Sequence, residues 1–135
     1  MRRFRRVFPE KTLGQRGEAV AARFLRRRGY KILARGDRSG SGELDLVALD
    51  GKTIVFIEVK TRRSQGAGHP AEAVDARKQR RLTRLAVSFL KRHQLLSCPA
   101  RFDVVAVTWP KGRWFPNVEH LVNAFDAVGH QEFYS

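Results

Sequence analysis

The 135 residues are 42% hydrophobic and 30% charged, which suits one domain with one sizeable core and excludes a wholly disordered chain. Twenty-seven Lys and Arg against thirteen Asp and Glu give a formal net charge of +14, so a polyanionic partner is expected, because each neutralised phosphate releases condensed counterions. No run reaches the length of an apolar span, the basic start Met1–Arg6 has no apolar signal core behind it, and Cys98 stands alone. A membrane protein, an exported protein and a multi-cysteine zinc site are therefore not expected, and a cytoplasmic location is.

Residues 1–12 read as a basic arm, with Pro9 opposing an early helix. Leu13, Gly17, Val20, Ala21, Phe24 and Leu25 recur at helical spacing, and Gly29 suits the end of that helix. Tyr30–Ala34 reads as a short strand that enters a glycine and serine loop, Gly36–Gly42. Glu43–Leu49 alternates, with Leu44, Leu46 and Ala48 on one face and Glu43, Asp45 and Val47 on the other. Asp50-Gly51 predicts a two-residue hairpin turn of type I′, which would pair Leu49 with Lys52 and return the chain as Thr53–Lys60. Glu72–Arg92 predicts a second helix buried through Leu82, Leu85, Ala86, Phe89 and Leu90. Arg101–Thr108 follows as a Val-rich strand, Arg113–Val118 as an edge strand limited by Pro116, and residues 119–128 as a short helix packed through Leu121, Val122 and Phe125. The order predicts an α/β domain over residues 13–128, a central mixed β-sheet flanked by helices, with a flexible tail at 129–135.

In that hairpin Asp45 would oppose Phe56 and Glu43 would oppose Glu58, placing Asp45, Glu58 and Lys60 on one face. Two carboxylates on a strand pair otherwise built for burial are costly unless a cation or a hydrogen-bond donor relieves them. Mg²⁺ or Mn²⁺ suits such oxygen ligands. Phosphodiester cleavage needs these parts: a metal to polarise phosphoryl oxygen and activate water, and a cation such as Lys60 to orient that water or offset developing charge. A plain Glu58–Lys60 pair, with Asp45 bonded to the loop, is the alternative. Glu43 would either add a ligand or splay away where the hairpin frays.

Charge is segregated along the chain. Residues 1–31 hold eleven Lys or Arg and residues 60–92 hold ten, whereas residues 43–58 carry four acids and one base. An acidic centre between basic flanks suits a metal-dependent enzyme acting on nucleic acid. Arg16 and Arg23 on the first helix, Arg62 and Arg63 after the return strand, and Arg77, Lys78 and Arg81 on the second helix are the candidate phosphate contacts. Lys78 falls at an expected apolar position and would either snorkel or reach phosphate. Trp109, Trp114 and Phe115 would either stack on unpaired bases, pack into the core or form an edge contact between subunits. His69, His93, His120 and His130 lack metal-ligand spacing and take ordinary roles.

Asp45 followed by Glu58-Val59-Lys60 resembles the motif of the PD-(D/E)xK nuclease superfamily, without the proline before its first Asp. The runs Gly14–Ala19, Gly42–Val47, Ile54–Arg62, Lys78 with Leu82 and Ala86, and Arg101–Val105 together resemble the YraN-like family of small bacterial proteins. That family has a predicted restriction-endonuclease-like fold and is likened to archaeal Holliday-junction resolvases. The resemblance implies a divalent metal, Mg²⁺ or Mn²⁺, held by Asp45 and Glu58 with Lys60 beside it, and Glu18 as the helix acid completing the site. From spacing alone, Glu18 serves equally as a cap or a salt-bridge partner of Arg16 or Arg26. Gly36 stands where family members usually carry Asn. The implied activity is a metal-dependent endonuclease on branched or structure-specific DNA, with DNA favoured over RNA and a homodimer suited to cutting two strands. A non-catalytic DNA- or RNA-binding protein that keeps the nuclease fold is the alternative.

Overall fold

The computed structural model describes residues 11–40, 42–63 and 74–128. Most of the basic arm, the segment holding Ser64–Gly68 and His69, the start expected at Glu72 for the second helix, His130 and the tail at 129–135 lie outside the described residues.

Helix α1 (Leu13–Arg27) opens on a capping box: Gln15 N–H donates to the Thr12 hydroxyl at 3.1 Å, and Thr12 N–H donates to Gln15 Oε1 at 2.9 Å. It closes at Arg28, and Gly29 takes φ +92°, the left-handed position that Gly fills most readily. Five strands follow as one sheet in the order β1 (Lys31–Ser39), β2 (Gly42–Asp50), β3 (Thr53–Arg62), β4 (Ala100–Thr108), β5 (Asn117–Phe125). The β3–β4 pair is parallel and the other three pairs are antiparallel. A parallel pair requires a crossover, and helix α2 (Ala76–Arg92) supplies it, capped by the Asp75 carboxylate on Lys78 N–H at 2.9 Å.

The two helices cover opposite faces of the sheet. Val55 and Ile57 of β3 and Val105 and Val107 of β4 pack with Ala21, Ala22 and Leu25 of α1. Ile54, Phe56, Phe102 and Val104, the alternate positions, pack with Leu82, Leu85, Ala86, Phe89 and Leu90 of α2. This layered arrangement is a restriction-endonuclease-like α/β fold, and no helix among the described residues is long and apolar enough to cross a membrane.

Four expectations are corrected. The loop expected at Gly36–Gly42 is largely strand, because β1 runs on to Ser39. The hairpin turn lies at Gly51-Lys52, with Asp50 paired to Thr53; only Gly51 takes a positive φ, so the requirement of type I′ for two such residues is not met. The register therefore moves by two residues, and Phe56 faces Val47 instead of Asp45. A shift of two leaves the faces of β3 unchanged, since side chains alternate with period two. The alternation in β2 does break: Leu46 and Ala48 lie on the α1 side, but Leu44 joins Val47 on the α2 side.

The fourth correction concerns the expected helix at 119–128, which is strand β5 as far as Phe125. Phe102 pairs with Phe125 and Val104 with Leu121, so β5 bulges by two residues, and Asn123 sits there at φ +54°. Leu121 and Phe125, four residues apart, share one core face because a strand of period two returns to the same side every second residue. Helical spacing arose without a helix.

Candidate metal centre

The ladder between β2 and β3 ends at Leu46↔Ile57, immediately before Asp45. Beyond that pair, Val59 N–H donates to Asp45 Oδ2 at 2.9 Å, so a carboxylate occupies the space where the strands part. Helix α1 reaches the same place because Gly17 has no side chain: a Cβ there would lie 1.9 Å from Thr61 Oγ1 of β3. The next residue, Glu18, is thereby directed at the strand ends. Gly36 lies at φ +60°, a conformation that Gly and Asn adopt most readily, and a Cβ on it would lie 3.2 Å from Glu43 Oε1. Carboxylate oxygens of Glu18, Glu43 and Asp45 consequently lie within 4.8 Å of one another.

Charge in this cluster is poorly compensated. Burial pushes the Asp45 carboxyl up to about 7, with the negative charges of Glu58 and Glu18 adding to the effect; the Val59 N–H and the Lys78 cation oppose it. Glu18 is also raised, first by burial and then by Glu43, with Arg35 opposing. Arg38 reaches Glu43 at 3.3 Å from a largely exposed position and so relieves it little. Three partly buried carboxylates, one holding a proton near neutrality, form an all-oxygen donor set that fits a hard divalent cation such as Mg²⁺ or Mn²⁺.

Glu58 stands close enough to Asp45 for its charge to raise the Asp45 carboxyl. Its carboxylate takes Lys78 Nζ at 2.6 Å, across the α2 side of the sheet, and both side chains are largely buried. Lys78 is thus a partner of the acid, one of its three donors being taken by Glu58. Burial disfavours its ammonium, but the bond and charge of Glu58 outweigh this and raise its pKa. Lys60 adjoins Lys78; burial, followed by that neighbouring cation, lowers its pKa, while Glu58 and Asp45 act in the opposite sense. Among the other candidate contacts, Arg16, Arg23, Arg63, Arg77 and Arg81 are exposed and Arg62 is half-buried.

Sequence reasoning gave Glu43 an uncertain place and no role to the buried cluster around Asp103. Asp103 is fully buried; it accepts from Arg101 Nε at 3.0 Å and from Asn123 N–H at 2.9 Å, and bonds His120 Nε2 at 2.7 Å. Burial acts against its charge, yet these bonds hold its carboxyl below the usual carboxylate value. Arg101 extends the network to Tyr30 Oη at 2.8 Å and Asp50 at 3.1 Å. An Asp inside a run of buried Val was the available sequence signal. His120 could not be paired with it before β5 was known as a strand.

A family model described as "Uncharacterised protein family UPF0102" matches residues 17–107. A UPF0102 protein of Rhodopirellula baltica is 47% identical over 135 residues, covering 98% of this chain and 81% of its own length. Similar proteins occur in Geobacter sulfurreducens, 48% identical with 86% of this chain and 90% of theirs covered, and in Symbiobacterium thermophilum, 53% identical with 85% and 97% covered. The chain belongs to the UPF0102, or YraN-like, family, within the PD-(D/E)xK-related superfamily.

Proposed function

We propose that this protein is a divalent-metal-dependent endonuclease that hydrolyses phosphodiester bonds in structured or branched DNA. The observation that carries the reading is the convergence of Glu18, Glu43 and Asp45 within 4.8 Å where β2 and β3 part, with Lys60 on the adjoining strand. A net charge of +14 supports a polyanionic substrate.

In this reading Asp45 is the central ligand and Glu18 and Glu43 complete the shell. Bound Mg²⁺ or Mn²⁺ would polarise phosphoryl oxygen and lower the pKa of the attacking water. Asp45 would hold the cation as its carboxylate, releasing the proton that burial otherwise keeps on it near neutrality. Lys60, whose pKa is lowered, is uncharged in a larger share of molecules than an ordinary lysine, so it is available to take a proton from the attacking water and then carries positive charge toward the phosphate. Lys78 holds Glu58 in place beneath the site and, as a second cation, keeps Lys60 in that lowered state. Lys78 takes Oε1 of Glu58, which leaves Oε2 as a further oxygen for the same cation.

The test is incubation of the purified chain with labelled branched, flapped, single-stranded and plain duplex DNA, and with RNA, in Mg²⁺ or Mn²⁺. Metal-dependent cleavage is expected, reduced about 10²- to 10⁴-fold in Lys60→Ala and abolished in Asp45→Ala. Binding of every substrate without cutting by the wild-type chain would instead identify a non-catalytic nucleic-acid-binding protein.

A further inference from the structure

The connection from β4 to β5 carries two large aromatic side chains in the open: Trp114 is 92% exposed and Phe115 83% exposed. Such rings are among the largest sources of stability when buried, so neither serves the core here. A groove of about 680 Å³ runs along one side of Trp114, bordered by Trp109 and by the cations Arg16, Arg63, Lys111 and Arg113. A second open groove of about 330 Å³ includes Phe115 and Pro116 and shares Trp114 with the first. Among the described residues no acid lines either groove. Gly112, Arg113 and Trp114 thus line both grooves.

The first groove borders α1 and the end of β3, elements that also carry Glu18 and Lys60. Arg16 stands over the Trp109 ring at 5.0 Å and is two residues before Glu18. Trp109 N–H donates to the Arg62 carbonyl at 2.9 Å, next to Arg63 and two residues beyond Lys60.

We propose that this surface takes single-stranded DNA, with phosphates along Arg63, Lys111 and Arg113 and unpaired bases stacked on Trp114 and Phe115. The proposal rests on the nucleic-acid reading above and specifies the strand form recognised. Bases inside a duplex have their faces covered, so exposed rings are of use only to bases outside the stack, and stacking on them does not depend on sequence. Four cations without a lining acid match a phosphate chain and repel a second copy of this basic molecule.

The full-length chain should be titrated in EDTA against fluorescein-labelled oligo-dT and a blunt duplex of equal length. Replacing Trp114→Ala together with Phe115→Ala should weaken oligo-dT binding about tenfold or more and lower the ratio of single-strand to duplex affinity. Trp114→Phe should keep that affinity but lose most of the intrinsic fluorescence quenching on binding, and an unaltered melting temperature establishes that both variants fold. An unmoved ratio in the double variant overturns the proposal, as does an unmoved ratio with loss of self-association in sedimentation, which assigns the aromatics to a second copy. Cleavage assays on the same preparations separate the two ideas. A lowered ratio without wild-type cleavage leaves the groove standing and removes the nuclease; Asp45-dependent cleavage with an unmoved ratio does the reverse.

Discussion

Asp45 carries an energetic cost that a ligand site explains. Its carboxyl is raised from 3.8 to about 7 in the fold, chiefly by burial. The folded chain therefore binds more proton than the unfolded chain between these values, and Asp45's contribution to stability, complete below about pH 4, is lost as pH rises through about 7. Asp45→Asn keeps an acceptor for Val59 N–H and removes the charge. It should raise the melting temperature at pH 8 without metal, flatten the decline in stability between pH 4 and 7, and abolish stabilisation by Mn²⁺; a scanning calorimetry series with and without Mn²⁺ checks all three. Metal affinity of the wild-type chain should rise with pH through the same window, because the cation displaces a proton. Asp103 has the opposite sign. Its lowered pKa contributes stability above the ordinary carboxylate value, and that stability is lost as acid protonates it in the folded state. Asp103→Ala would strand Arg101, His120 and the Asn123 N–H in a buried position and should cost about 3–5 kcal/mol in urea denaturation.

Two contacts between elements decide where the charged groups stand. Helix α1 approaches β3 closely enough that Gly17 admits no Cβ, since the Thr61 side chain fills the position. Gly17→Ala must displace either the helix or the end of β3. It should lower stability by about 1–3 kcal/mol and weaken Mn²⁺ binding even though Glu18 itself is intact, whereas Gly17→Ala with Thr61→Gly should recover much of both. Isothermal titration with Mn²⁺ beside thermal melts separates the positioning effect from a general loss of fold. Helix α2 is tied to β3 by Lys78 and Glu58 at 2.6 Å. Lys78→Met leaves Glu58 uncompensated and removes a cation facing the acids. The metal-free protein should lose about 3 kcal/mol, the divalent cation should bind more tightly, and the added stabilisation by Mn²⁺ should exceed that of the wild-type chain.

At the scale of the whole molecule, +14 predicts association with DNA that weakens steeply with salt, as a linear fall of log affinity with log salt concentration whose slope counts the phosphates neutralised. Arg77→Gln and Arg81→Gln, exposed near the start of α2, should each reduce that slope by about one if the helix meets phosphate. Fluorescence polarisation from 50 to 300 mM salt measures it; unchanged slopes would place the DNA on the α1 and hairpin side alone. The charge, the two helices and the strands at β2, β3 and β4 were legible in the chain, because each is a local pattern of residue type or period. Even a register error of two residues left the faces of β3 intact, for period two is blind to such a shift. The partners of those charges were not legible. Glu18 meets Glu43 and Asp45 only because Gly17 lets α1 close on Thr61; Glu58 meets Lys78 only because the parallel crossover brings α2 over β3; and His120 meets Asp103 only because a stretch with helical spacing pairs as an antiparallel strand with β4. Sequence fixes which groups a strand or helix carries on each face. Which of them neutralise or oppose one another depends on packing between segments far apart in the chain, and only the tertiary structure decided that.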